Sequence, residues 1–149
     1  MARKITIEVI AAMLTLLFVY AALSKLLDFV TFRFQLGNAP YIGQFASFLA
    51  YALPILELAI VALLFLKNTR LLALWTSSII MIVFTGYIAL MLVSGKRLPC
   101  TCGGVIQKLS WTQHLLFNLL FTLISIAGII LYKRQMQGRG HNVYRLSVS

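Results

Sequence analysis

The 149-residue chain is 61% hydrophobic and only 11% charged, with a mean hydropathy of +0.95. Soluble domains carry about a quarter charged residues, so this chain has too little polar surface to cover a fold in water. Its length suits one compact membrane domain, residues 1–149. The formal charge of +10 comes from 13 Lys and Arg against Glu8, Asp28 and Glu57. These cations cluster between apolar runs, a pattern of membrane flanks that argues against a nucleic-acid-binding face.

Crossing a bilayer core of about 30 Å takes about 20 apolar residues, and four stretches are long enough. They predict an all-α, integral membrane four-helix bundle with spans over residues 5–27, 45–66, 71–93 and 111–132. The first follows Arg3-Lys4, as a signal peptide would. It outlasts a signal core of about 7–15 residues and lacks a clear small-x-small cleavage site, so it predicts a retained helix.

Residues 28–44 follow the first span. Phe29, Val30, Phe32, Phe34 and Leu36 are interleaved with polar residues before the turn Gly37-Asn38-Ala39-Pro40. This predicts a short interfacial segment lying on the membrane or over the bundle mouth.

The second span contains Glu57, nine residues before Leu66 and therefore about 14 Å deep at 1.5 Å per residue. An ionisable group at that depth is expensive and is a functional candidate. Counted from the same end, Thr15, Ser77 and Ser78 reach similar depth and no Lys, Arg or His does. The expectation is a neutral carboxyl hydrogen-bonded to those hydroxyls, as a pin between helices or in a proton or quinone role. Asn68-Thr69 leaves little room between the second and third spans, predicting a tight hairpin. Trp75 suits an interface aromatic.

Between the third and fourth spans lies Ser94-Gly95-Lys96-Arg97-Leu98-Pro99-Cys100-Thr101-Cys102-Gly103-Gly104, with the only two cysteines of the chain. Its Gly and Pro residues oppose helix. A disulfide across one intervening residue needs local curvature and removes little unfolded-state entropy. It is a poor staple and a plausible exchanging dithiol, since strained or exposed disulfides tend to be labile. Lys96, Arg97 and Lys108 flank the pair, and Ser110-Trp111-Thr112-Gln113 matches a capping box opening the fourth helix. Cations and helix N-termini both favour thiolate. The alternatives are inert or structural cysteines, or a metal site. For metal, two thiolates and His114 still fall short of a tetrahedral shell, so none is expected.

On the fourth span, His114 and Asn118 share a face. His114 suits headgroup water or an acid–base role beside the thiols, and Asn118 an interhelical hydrogen bond. Trp111 and Tyr132 bracket the span as interface aromatics. Residues 133–149 are polar and basic and predict a disordered tail on an anionic leaflet.

Four spans put both termini on one side. That side holds Arg3, Lys4, Lys67, Arg70, Lys133, Arg134, Arg139 and Arg145, against Lys25, Arg33, Lys96, Arg97 and Lys108 on the other. The positive-inside rule then places both termini in the cytoplasm and the cysteine loop outside, periplasmic in a bacterial inner membrane.

Three stretches carry a family resemblance. Ala22-Leu23-Ser24-Lys25-Leu26-Leu27-Asp28 resembles the DoxX-type SKLxD turn that leads to a Phe-rich segment. Leu53-Pro54-Ile55-Leu56-Glu57-Leu58 is similar to that group's P-x-x-E helix. Pro99-Cys100-Thr101-Cys102-Gly103-Gly104, with Leu109-Ser110-Trp111 and Asn118, resembles the MauE-type run, although Gly103-Gly104 stands where Phe-Gly is common. The chain thus resembles the MauE/DoxX group of small membrane proteins, most closely its MauE-like branch. The resemblance implies a four-helix membrane protein associated with thiol–disulfide chemistry, acting beside a periplasmic thioredoxin-like partner. In methylamine-utilising bacteria the namesake is implicated in maturing a disulfide-rich periplasmic enzyme subunit.

Two functions follow as expectations. One is a redox helper exchanging disulfides through Cys100 and Cys102. The other is a non-catalytic membrane subunit that anchors or stabilises a larger complex. No cofactor is evident. A quinone-coupled relay of the kind that needs two cysteine pairs is unsupported, since the chain has one pair.

Overall fold

In lipid no water is at hand to satisfy backbone N–H and C=O groups, so apolar runs close their hydrogen bonds locally as helices. A computed structural model describes residues 2–95 and 111–147, and side chains within 4–95 and 112–137. The elements are α1 (Ala2–Leu27), α2 (Phe29–Gly37), a 3-10 turn (Gly43–Phe45), α3 (Ala46–Phe65), α4 (Arg70–Val93) and α5 (Trp111–Ser147). Four segments are long and apolar enough to cross a membrane: Lys4–Leu27, Gly43–Phe65, Arg70–Val93 and Thr112–Gln137. The elements among the described residues are all helical, and the chain is a multi-pass membrane protein.

α1 packs against α3 and α5, and α4 against α5 and α3. Toward the α3–α4 hairpin the core is apolar, with Ile10, Leu14, Ile60, Leu64, Leu74 and Ile129 buried together. Gly128 lets α5 approach closely there, because an added Cβ would lie 3.0 Å from Ile10 Cγ2 and 3.1 Å from Leu74 Cδ2. Outward positions such as Leu16, Phe48, Ile55, Val83 and Leu116 are exposed large hydrophobics. A surface of this kind is stable only against lipid.

The hairpin between α3 and α4 is tight, as expected. Thr69 Oγ1 donates to the Leu63 carbonyl at 3.0 Å, satisfying an orphan acceptor at the α3 terminus. Tyr132 Oη donates to the Lys67 carbonyl at 3.2 Å, tying α5 to that hairpin. Lys133 Nζ stands 5.0 Å from the Trp75 ring centroid, a cation–π contact at the same end.

The segment after α1 differs from the alternating pattern expected. It folds as the nine-residue helix α2, with Phe32 and Leu36, one turn apart, buried against Ala46 and Ala50 of α3. The alternation of Phe29–Leu36 concealed this helical pair. The return turn needs Gly43, where an added Cβ would collide with the Gly37 carbonyl oxygen. Tyr87 Oη of α4 holds the turn through the Pro40 carbonyl at 3.1 Å.

α5 also departs from expectation. Where a disordered tail was expected after residue 132, the helix continues to Ser147. Lys133, Arg134, Gln135, Met136 and Gln137 are good helix formers that can extend a span already begun.

Candidate functional site

The cysteine loop joins α4 to α5. α4 ends at Val93 and Gly95 turns the chain with φ of 62°. α5 starts at Trp111. Lys96, Arg97, Cys100, Cys102, Lys108 and Ser110 lie outside the described residues, as does the Trp111 side chain. Both anchor points of the loop lie at the end of the bundle where α1 finishes and α2 packs.

Beneath that end is a cluster of buried polar side chains. Lys25 is two residues from the end of α1, but its chain runs back along the helix and is 5% exposed. Nζ donates to the Ala21 carbonyl at 3.0 Å and to Glu57 Oε1 at 2.7 Å. Glu57 is 6% exposed and lies in the middle of α3, eight residues before Phe65 and eleven after Ala46. Phe32 of α2 lies over the pair, with Lys25 Nζ 5.9 Å from its ring centroid. Pro54 sits one turn before Glu57 and is buried within the same helix.

This pair corrects the expectation that Glu57 bonds to Thr15, Ser77 and Ser78. Ser77 Oγ donates to the Ala73 carbonyl at 2.7 Å, and Ser78 pairs with Ser125 at 2.8 Å. The cation was missed because depth was counted from one membrane face. Lys25 enters from the other face, and its four-carbon stem bridges the difference. Glu57 Oε2 is buried and has no hydrogen-bond partner among the described residues.

His114 is also placed differently from the headgroup-facing expectation. It is 8% exposed and, with Asn118, lines a cavity of about 60 Å³ shared with Lys25 and Glu57. Asn118 Nδ2 donates within its own helix, to the His114 carbonyl at 3.2 Å. Below them the same face of α5 continues with Thr122 and Ser125, both buried. Thr122 lies 3.4 Å from Thr85 Oγ1, and Ser125 meets Ser78. Sequence reasoning found His114 and Asn118 and missed Lys25, Thr122 and Ser125. The i, i+4, i+8, i+11 spacing from His114 was the available signal for the last two.

A second ion pair stands at the opposite end of the bundle. Arg70 Nη1 at the start of α4 donates to Glu8 Oε1 of α1 at 2.6 Å. Two of the chain's three acidic residues are thus committed to cations on other helices. Among the described residues no group of three or more His, Cys, Asp or Glu could hold a metal ion.

The family model described as methylamine utilisation protein MauE matches residues 3–131 of this chain. No curated protein matches it. No solved structure matches it either.

Proposed function

Because the chain belongs to the MauE family, we propose that it is a membrane accessory protein of methylamine utilisation whose Cys100–Cys102 loop exchanges disulfides. The observation that carries this reading is that both cysteines of the chain stand one residue apart in a short basic loop between two spans. Such a pair closes too small a ring to stabilise the fold by loop entropy. Its cationic neighbours favour the attacking thiolate. The exchange partner is a thioredoxin-like or client protein on the same side of the membrane.

The protein sits in a bacterial inner membrane with both termini cytoplasmic and the loop periplasmic, supported by the excess of Lys and Arg on the terminal side. A membrane-impermeant thiol reagent applied to intact, mildly reduced cells should label Cys100 or Cys102. Labelling that requires permeabilised membranes would reverse the orientation.

Single variants Cys100→Ser and Cys102→Ser test the chemistry. Each should insert and unfold like the parent, because the helices satisfy their backbones without the loop. At least one should accumulate a mixed disulfide with its partner on a non-reducing gel, the resolving thiol being gone. Loss of stability in both variants, with no trapped partner in either, would give the lead to an anchoring subunit of a larger complex.

A further inference from the structure

The cavity beneath the loop end has a use independent of the cysteines. Its polar walls are Tyr20, Ser24 and Lys25 of α1, Glu57 of α3, and His114 and Asn118 of α5. Glu57 is more than nine-tenths buried, and among the described residues only one of its carboxylate oxygens has a hydrogen-bond partner. A buried acceptor left dry is costly, and more so when charged. A water fits where a cavity offers roughly 10–15 Å³ and two to four polar partners. The space of about 60 Å³ meets the first condition, and the polar walls meet the second.

The other end of the polar column is closed. The Ser78 and Ser125 hydroxyls bond to one another at 2.8 Å, and Ser77 is satisfied by the Ala73 carbonyl. Beyond them Leu14, Ile60, Leu64 and Leu74 are essentially fully buried and pack together. Among the described residues these buried leucines and Ile60 set an apolar layer between the serines and the α3–α4 hairpin.

We propose that this cavity is a hydrated proton-exchange site, with water as its ligand and Glu57 as its exchanging group, reached from the loop end of the bundle only. A water O–H donates to Glu57 Oε2. In the exchange step that O–H bond breaks as a carboxyl O–H forms, the next water restores the broken O–H, and a hydronium ion of the bulk water at the loop end supplies the net proton, with no electrons moved. Among the described residues the titratable groups facing the site are Lys25 and Tyr20 of α1, Glu57 of α3 and His114 of α5. α4 contributes Ile80, Met81 and Phe84, none titratable. The Lys25 ammonium holds the carboxylate in place, and the apolar floor prevents a leak across the membrane. The site stores a proton at the loop end and returns it there, whether or not the cysteines exchange.

Water-edited solid-state NMR on the full chain in lipid bilayers tests this directly. The chain has only Glu8 and Glu57 as glutamates, so carboxyl-labelled glutamate gives two signals, and Glu8→Gln leaves Glu57 alone. Magnetisation from water should reach the Glu57 carboxyl and Lys25 Nζ about as fast as it reaches exposed Arg33. It should reach Ser125 several-fold more slowly. A Glu57 signal as slow as Ser125 would mean a dry pocket and overturn the proposal. A Ser125 signal as fast as Glu57 would mean a continuous channel and overturn its one-sidedness. The Glu57 carboxyl shift should also respond to bulk pH, and a shift constant until the protein unfolds would remove the proton-exchange role.

Discussion

The two ion pairs have nearly the same contact distance and opposite surroundings. Lys25–Glu57 measures 2.7 Å with side chains 5% and 7% exposed, whereas Arg70–Glu8 measures 2.6 Å with its carboxylate side chain 59% exposed. Both join α1 to a helix far along the chain. The first is embedded in mid-bundle, where each charged group has the other as its counter-charge. The second lies at a helix end, where water and salt compete for it. Distance alone says little about what a salt bridge contributes; the medium around the less buried partner decides.

The largest expected effect comes from breaking the buried pair. Lys25→Met or Glu57→Leu alone should destabilise by about 3–5 kcal/mol, because each strands an uncompensated charge. Glu57→Gln should also be costly, since a neutral amide leaves the Lys25 ammonium without a counter-charge. The double variant Lys25→Met/Glu57→Leu should recover most of the loss, as apolar replacement of a whole buried pair is often neutral. Denaturant unfolding of the purified protein in detergent would measure all four, and a double variant no better than its parents would refute the coupling.

An intermediate loss is expected along the polar column. Ser125→Ala removes one side of a buried hydroxyl pair and should cost about 0.6 kcal/mol, the average for interhelical hydrogen bonds in membrane proteins. The same unfolding assay reads it, and a loss as large as that of Lys25→Met would show the serines supporting the ion pair. The smallest effect is expected at the exposed end. Glu8→Gln should cost about 0.2–1 kcal/mol, and the difference from the parent should shrink with added salt. The Lys25→Met penalty should stay nearly constant across the same salt series, so a common salt dependence would erase the distinction between the pairs.

Much of the fold was legible because an apolar run long enough to span a membrane is a strong signal, and four of them leave few architectures open. The short helix α2 was less legible. Its aromatic-rich alternation resembles an extended interfacial strip, and the Phe32–Leu36 pair shows its value only once Ala46 and Ala50 supply the opposing surface. Glu57 was recognisable as a costly residue, yet its partner was hidden by geometry. A lysine near a helix end is ordinarily assigned to the headgroups, but Lys25 turns inward along α1. His114 was hidden in the same way: its position near the start of α5 suggested the interface, while its azimuth aimed it into the bundle. Sequence position gives depth along a helix readily, and gives facing only when several polar residues repeat the same stripe.

The separation of 32 positions from Lys25 to Glu57 also bears on how the chain enters the membrane. α1 is synthesised first, and Lys25, close to its end, has headgroup water within reach while it waits. Glu57 has no such refuge, because the middle of α3 passes straight into hydrocarbon. Efficient insertion of α3 therefore depends on α1 already standing beside it with its ammonium turned inward. The first span acts as a chaperone in cis for the second, and Lys25→Met should delay or misplace α3 during biogenesis, visible in a glycosylation-mapping assay of nascent chains.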